Sequence, residues 1–296
     1  MDRIEIVEMA PRDGLQNEKG EVTTPNKIGL VDALSPCGFS RIEVTSFVSP
    51  RWVPQLADGA AVMAGMERRK GVRYGALTPN LRGLEGALGA RADWVAVFAS
   101  ASEGFSQANI NCSIDDSLGR FRPVCERARD EGVPVRGYVS CVIACPYDGP
   151  IAPGAVADTV EELFAMGCEE VSLGDTIGQG VPERVDAMLE AVLGIAPANR
   201  LAGHYHDTNG RALDSIAVSV ERGLRVFDAA VGGLGGCPYA PGAKGNVDTL
   251  KVDRWAQDTG FETGLDRRKL EEAASIARGL VNPSPLERGS NTADCP

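Results

Sequence analysis

The chain holds only two histidines, His204 and His206, and both fall in the run Gly203-His204-Tyr205-His206-Asp207. Alternate residues of a β-strand share a face, so a strand here would project both imidazoles together. Paired neutral imidazoles are ready metal ligands; the alternative is two core histidines bonded to backbone groups. Asp13, in Pro11-Arg12-Asp13-Gly14, can add a carboxylate oxygen if the first and seventh strands come close, and Asn246 can add an amide carbonyl oxygen. A mixed nitrogen and oxygen set suits Mg2+ or Mn2+, with Zn2+ also compatible. Two histidines and a carboxylate also hold iron in oxygenases, a rival reading that requires dependence on a 2-oxo acid.

Other groups fall where strands end. Arg12 stands beside Asp13, and a fixed guanidinium there can stabilise an enolate or a carboxylate. Glu43, pointing inward if Ile42 and Val44 point outward, is placed to orient Arg12. Gly232-Gly233-Leu234-Gly235-Gly236-Cys237-Pro238 has the composition of a lid that carries the Cys237 thiol over a site. Asp175, in Gly174-Asp175-Thr176, can bind substrate, support a histidine or simply start a turn.

The elements that must position these groups are legible as eight short β-branched or apolar runs, at residues 4–9, 41–46, 73–77, 94–99, 135–142, 170–173, 201–205 and 225–229. Helical patterns alternate with them, at residues 26–35, 59–70, 81–89, 115–131, 153–166, 181–194, 211–222 and 247–259. Thr24-Pro25 suits a helix start, as does Ser113 followed by Asp115 and Asp116. Alternation of this kind implies a parallel sheet, and eight repeats imply a TIM (β/α)8 barrel, with the site at the C-terminal strand ends. The expected organisation is a catalytic barrel over residues 1–260, a helical extension over 261–282 and a flexible tail over 283–296.

Composition removes other function classes. A net charge of −11 leaves no basic face for nucleic acid. No run approaches the roughly 20 apolar residues of a membrane helix, and no secretory signal opens the chain, so a cytoplasmic location is expected. The eight cysteines are scattered without paired CxxC motifs, which implies reduced, mostly buried thiols.

The chain resembles the 3-hydroxy-3-methylglutaryl-CoA lyases over residues 6–280. The resemblance is carried by Arg12-Asp13-Gly14-Leu15-Gln16-Asn17-Glu18, Thr45-Ser46-Phe47-Val48-Ser49-Pro50, Asn109-Ile110-Asn111-Cys112-Ser113, Arg136-Gly137-Tyr138-Val139-Ser140-Cys141, Ser172-Leu173-Gly174-Asp175-Thr176-Ile177-Gly178 and Gly233-Leu234-Gly235-Gly236-Cys237-Pro238-Tyr239-Ala240. It implies a divalent metal held by Asp13, His204, His206 and Asn246, and an enolate stabilised by Arg12. It implies that Cys237 assists proton transfer or closure and that Glu43 lies beside the metal. Gln16, Ser46, Tyr138, Ser172, Asp175 and Thr176 would line the acyl-CoA pocket, and Lys19 would meet the CoA phosphates. The implied reaction is retro-Claisen cleavage to acetyl-CoA and acetoacetate, by a homo-oligomer, expected to be a dimer. The alternatives are a Claisen condensing enzyme of the isopropylmalate or homocitrate synthase kind, which usually carries further C-terminal domains, and a lyase acting on a related 3-hydroxyacyl-CoA. Tyr205, Asn209 and Gly232 depart from the family pattern without touching an implied ligand.

Overall fold

Strands β1 (Glu5–Glu8), β2 (Arg41–Ser46), β3 (Arg73–Leu77), β4 (Trp94–Ser100), β5 (Val135–Ser140), β6 (Glu170–Asp175), β7 (Leu201–Tyr205) and β8 (Val226–Ala229) each pair in parallel with their sequence neighbours. β8 returns to β1 with Glu5 opposite Val226 and Glu8 opposite Ala229, closing an eight-stranded barrel. The computed structural model describes residues 2–18, 20–235 and 245–281. Parallel strands require crossover connections, and the amphipathic segments between them supply these as an outer layer of helices.

That layer comprises α1 (Thr24–Leu34), α2 (Gly59–Gly65), α3 (Leu81–Gly89), α4 (Glu103–Ile110), α5 (Ile114–Asp130), α6 (Pro153–Ala165), α7 (Pro182–Leu193), α8 (Ala212–Glu221), α9 (Thr249–Asp258) and α10 (Arg267–Val281). Their apolar faces and the outward faces of the strands form one continuous core that includes Leu30, Val97, Phe121, Val160 and Leu189. Ser113 caps α5 by accepting the Asp116 N–H, as its sequence suggested. The α1 start lies one residue earlier than Thr24-Pro25 implied, with Thr23 at the cap position. The helix expected over 59–70 stops at Gly65, because Met66 turns extended. Sequence patterning missed α4, capped by Ser102, and the two-stranded hairpin of Ala144–Cys145 with Gly149–Pro150.

The barrel interior is unusual in its polarity. Val7, Met9, Leu77, Trp94, Ala96 and Tyr138 form its apolar part. Gly75 makes room for the Trp94 ring, since a Cβ at residue 75 would lie 2.0 Å from Trp94 Cε2. Below the catalytic face the axis is occupied by charge instead: Glu5, Arg41, Glu170, Arg136 and Asp228 make successive ion pairs.

Three loops are held together at the catalytic face by Glu8, the last residue of β1. Its Oε1 accepts the N–H groups of Ala10 and Val231, both at 2.9 Å, and its Oε2 accepts the Thr249 hydroxyl at 2.8 Å. Residues 245–248 then run back past the strand ends, bridging His206 to Asn246 and Ala230 to Asp248. The C-terminal helix, expected as an extension, lies against α1 and the turn Val231–Gly233. Among the described residues, no helix is long and apolar enough to cross a membrane. The expected tail at 283–296 lies outside the described residues.

Candidate active site

Arg12 and Asp13 leave β1 on a single π-helical turn, Ala10–Gly14, in which the Gly14 N–H reaches back to the Met9 carbonyl. Such turns twist adjacent side chains out of the ordinary helical spacing. Here they send both groups into the barrel mouth. The Arg12 guanidinium donates through Nε to Glu43 Oε2 and through Nη1 to Asp13 Oδ1 at 2.6 Å. Burial disfavours its charge, but the two carboxylates outweigh that and keep it protonated. Glu43 is wholly buried; burial pushes its carboxyl up, and Arg12 and Arg136 offset this only in part.

Across the mouth, β7 delivers both histidines. His204 Nε2 lies 3.2 Å from His206 Nε2 and 3.9 Å from Asp13 Oδ2. One ligand atom from each of the three residues lies within 4.8 Å of the other two. Burial raises the cost of charging Asp13, yet Arg12 and the histidines prevail and bring its carboxyl down to about 2. Burial and the neighbouring His204 bring His206 down to about 4, so its imidazole is neutral near pH 7. His204 Nδ1 lies 3.1 Å from Asp228 Oδ2. Asp228 is a buried carboxylate that Arg136 and His204 hold well below the usual range, and a carboxylate can only accept. The contact is therefore made by a hydrogen on His204 Nδ1, and in the neutral tautomer that carries it Nε2 presents a lone pair. Two imidazole nitrogens and a carboxylate oxygen converging in this way are a donor set that fits a divalent cation, which would take the place of one imidazole proton.

These groups stand in a cavity of about 1310 Å3 whose lining includes Arg12, Asp13, Gln16, Tyr138, Ser172, Thr176, His204 and His206. Gln16 Oε1 has no hydrogen-bond partner among the described residues. Tyr138 offers its ring to the cavity, while its hydroxyl donates to Glu43 at 3.2 Å and receives Arg136 Nη1 at 3.0 Å. The Ser172 hydroxyl donates to Asp228 Oδ2, and Thr176 Oγ1 accepts the Cys141 N–H.

Three expected contacts are placed otherwise. Ser46 does not line the cavity, and its hydroxyl accepts the Val48 N–H. Asp175 is buried beneath the next loop, accepting the N–H groups of Gln179 and Gly180, because a strand-ending carboxylate is the nearest acceptor for that turn. Asn246 reaches the site but turns its amide nitrogen to Asp13 Oδ2, at 2.7 Å, and to the Leu234 carbonyl, so it presents hydrogens where a carbonyl oxygen was expected. Lys19 and Cys237 lie outside the described residues. Of the eight cysteines, the six described are free and buried.

Sequence reading missed Arg136 and Asp228. Both are charged residues inside otherwise apolar strands, a pattern that demands a buried partner and is the signal that marks them.

The HMGL-like family model matches residues 3–277. A Pseudomonas aeruginosa protein named 3-hydroxy-3-isohexenylglutaryl-CoA/hydroxymethylglutaryl-CoA lyase is 55% identical over 288 residues, covering 97% of this chain and 96% of its own length. The crystal structure of an HMG-CoA lyase from Brucella melitensis is 62% identical, with a TM-score of 0.94 over 95% of this chain and 100% of that one. An HMG-CoA lyase from Acinetobacter baumannii, solved with coenzyme A and 3-methylmalate, is 36% identical, with a TM-score of 0.90 over 100% and 98% of the two chains. By its barrel, the groups at the barrel's mouth and these likenesses along almost its whole length, the chain belongs to the HMGL-like family.

Proposed function

We propose that this protein cleaves 3-hydroxy-3-methylglutaryl-CoA to acetyl-CoA and acetoacetate, using a divalent cation held by Asp13, His204 and His206. The observation that carries this reading is the convergence of those three ligand atoms beside the Arg12 guanidinium in one large cavity. A bound divalent cation supplies Lewis acidity, lowering the pKa of an oxygen it contacts. Asn246 holds the Asp13 carboxylate in place through its amide.

Asp13 stays ionised and serves in this reading as the base for the tertiary hydroxyl proton. As that proton leaves, the oxygen's electron pair forms the new carbonyl of acetoacetate. The C2–C3 bond breaks, and its electrons pass to C2 and the thioester oxygen as the acetyl-CoA enolate. Arg12 is pinned by Glu43 through Nε and by Asp13 through Nη1. Its Nη2 carries no hydrogen bond among the described residues and serves to offset the charge on the enolate oxygen. Cys237 is the proton donor to C2 in this reading.

A specific feature favours extending the substrate class to larger 3-alkyl branches: Leu77, Phe98, Phe105 and Phe121 give the cavity an apolar wall, and the Pseudomonas relative is named for an isohexenyl substrate as well. The test is release of acetyl-CoA, with the matching 3-oxo acid, from a panel of 3-hydroxy-3-alkylglutaryl-CoA thioesters, with exhaustively demetallated protein and after adding back Mg2+, Mn2+ or Zn2+. The expected result is no product without metal and recovery with Mg2+ or Mn2+. Full turnover by demetallated protein would overturn the metal reading, and absence of cleavage under every condition would overturn the activity.

A further inference from the structure

We infer that Asp228 is a positioning residue, which acts through His204 by fixing the imidazole tautomer that leaves Nε2 free to bind a cation. The inference rests on the proposed metal reading only for its consequence; the tautomer itself follows from contacts within the chain. Asp228 lies on β8, its Oδ2 lies 3.1 Å from His204 Nδ1, and the same oxygen accepts the Ser172 hydroxyl at 2.8 Å. Its other oxygen, Oδ1, lies 2.8 Å from Arg136 Nη2. Arg136 is held in turn by Glu170 at 2.7 Å, and Glu170 by Arg41 at 2.8 Å. Arginine carries donors only, so each link of this column has one possible direction. The guanidinium of Arg136 stands as an ion pair against Oδ1, out of hydrogen-bond alignment, and Oδ2, the oxygen within reach of His204, can only receive the Nδ1–H. Ligand histidines are commonly oriented by such an outer carboxylate, and loss of one typically weakens metal binding about 10- to 100-fold.

The column also dictates what Asp228→Asn would do. An amide has one oxygen and one nitrogen, and Arg136 can be faced only by the oxygen. The amide nitrogen then faces His204 Nδ1, which must accept. The imidazole proton moves to Nε2, and the lone pair that pointed toward Asp13 and His206 is lost. Isosteric replacement thus blocks the ligand atom without emptying any space.

The chain's having just two histidines makes the tautomer directly readable. The full-length protein, labelled with 15N-histidine and freed of metal, gives two imidazole signals by NMR, assigned with His206→Gln. The expected result is His204 as the Nδ1–H tautomer in the wild type and as the Nε2–H tautomer in Asp228→Asn. Mn2+ titration followed by EPR is expected to show binding weakened about 10- to 100-fold in Asp228→Asn. Glu170→Gln, which takes the charge from another partner of Arg136 without touching His204, is expected to keep the wild-type tautomer and to bind Mn2+ within about threefold of wild type. Wild-type His204 found protonated at Nε2, equal Mn2+ affinity in Asp228→Asn, or equal losses in both variants would overturn the inference. Failure of the wild type to bind Mn2+ would instead overturn the metal reading, and the tautomer measurement would still decide the role of Asp228. If Asp228→Asn fails to fold, the wild-type and Glu170→Gln spectra still decide it.

Discussion

Replacing Glu8 by glutamine tests how the catalytic loops are stapled. Glu8 is fully buried, and burial pushes its carboxyl from 4.5 to about 7, because its three hydrogen bonds do not make up for the lost hydration of the anion. That displacement corresponds to about 3 kcal/mol, at about 1.4 kcal/mol for each tenfold change in proton affinity. Below pH 4.5 the carboxyl is neutral in folded and unfolded chains alike, and no charge is buried. Between pH 4.5 and about 7 the unfolded chain has released the proton while the folded chain retains it, so this group's contribution falls as pH rises. Above about 7 the folded state bears the whole cost. Glutamine can fill the same places: its Oε1 accepts from Ala10 and Val231, and its Nε2 donates to Thr249 Oγ1 once that hydroxyl turns from donor to acceptor. Urea unfolding followed by tryptophan fluorescence, in chelator from pH 4.5 to 8, gives the stability difference between Glu8→Gln and wild type. It should move in favour of the variant by up to about 3 kcal/mol and level off above pH 7. A difference that stays constant with pH would refute the reasoning, as would a variant weaker than wild type at pH 8.

Arg12→Met should lower acetoacetate formation about 100- to 1000-fold while leaving Mn2+ affinity nearly unchanged by EPR titration; a variant keeping more than a tenth of the wild-type rate would defeat the assigned role. Gly75→Ala, which drives a methyl group into the Trp94 ring, should lower stability by at least about 1–3 kcal/mol, seen as a reduced Tm in thermal unfolding; an unchanged Tm would show that the barrel interior yields more easily than its packing implies.

The barrel was legible because β-branched runs recur at intervals that only strand-helix repeats explain, and every strand lies within two residues of its expected bounds. α4 was not, because Glu103–Ile110 carries only Phe105 and Ile110 as large apolar residues and depends on its Ser102 cap. The ligand trio was accessible through the strand periodicity of His204 and His206 and the adjacency of the first and last strands. Side-chain direction was not. Whether Ser46, Asp175 and Asn246 face the cavity or the backbone depends on which donor or acceptor lies within hydrogen-bond reach, which no spacing rule encodes. Arg136 and Asp228 escaped because each answers a charge on another strand, and a single strand's pattern does not name its partner.

The last helix has a role that its place at the end of the described chain conceals. Gly232 adopts a left-handed conformation, with φ of 74°, in the turn that starts the glycine-rich segment, and a Cβ there would press on Arg278 Cγ of α10 at 3.3 Å. The root of that segment is thus seated on α10, far along the sequence from any ligand. Shortening the protein within 267–281 would take that seat from Val231–Gly233 and strip Leu270, Ala273, Ala274 and Ala277 from the core, so the root of the glycine-rich segment and the outer layer of the barrel would fail together.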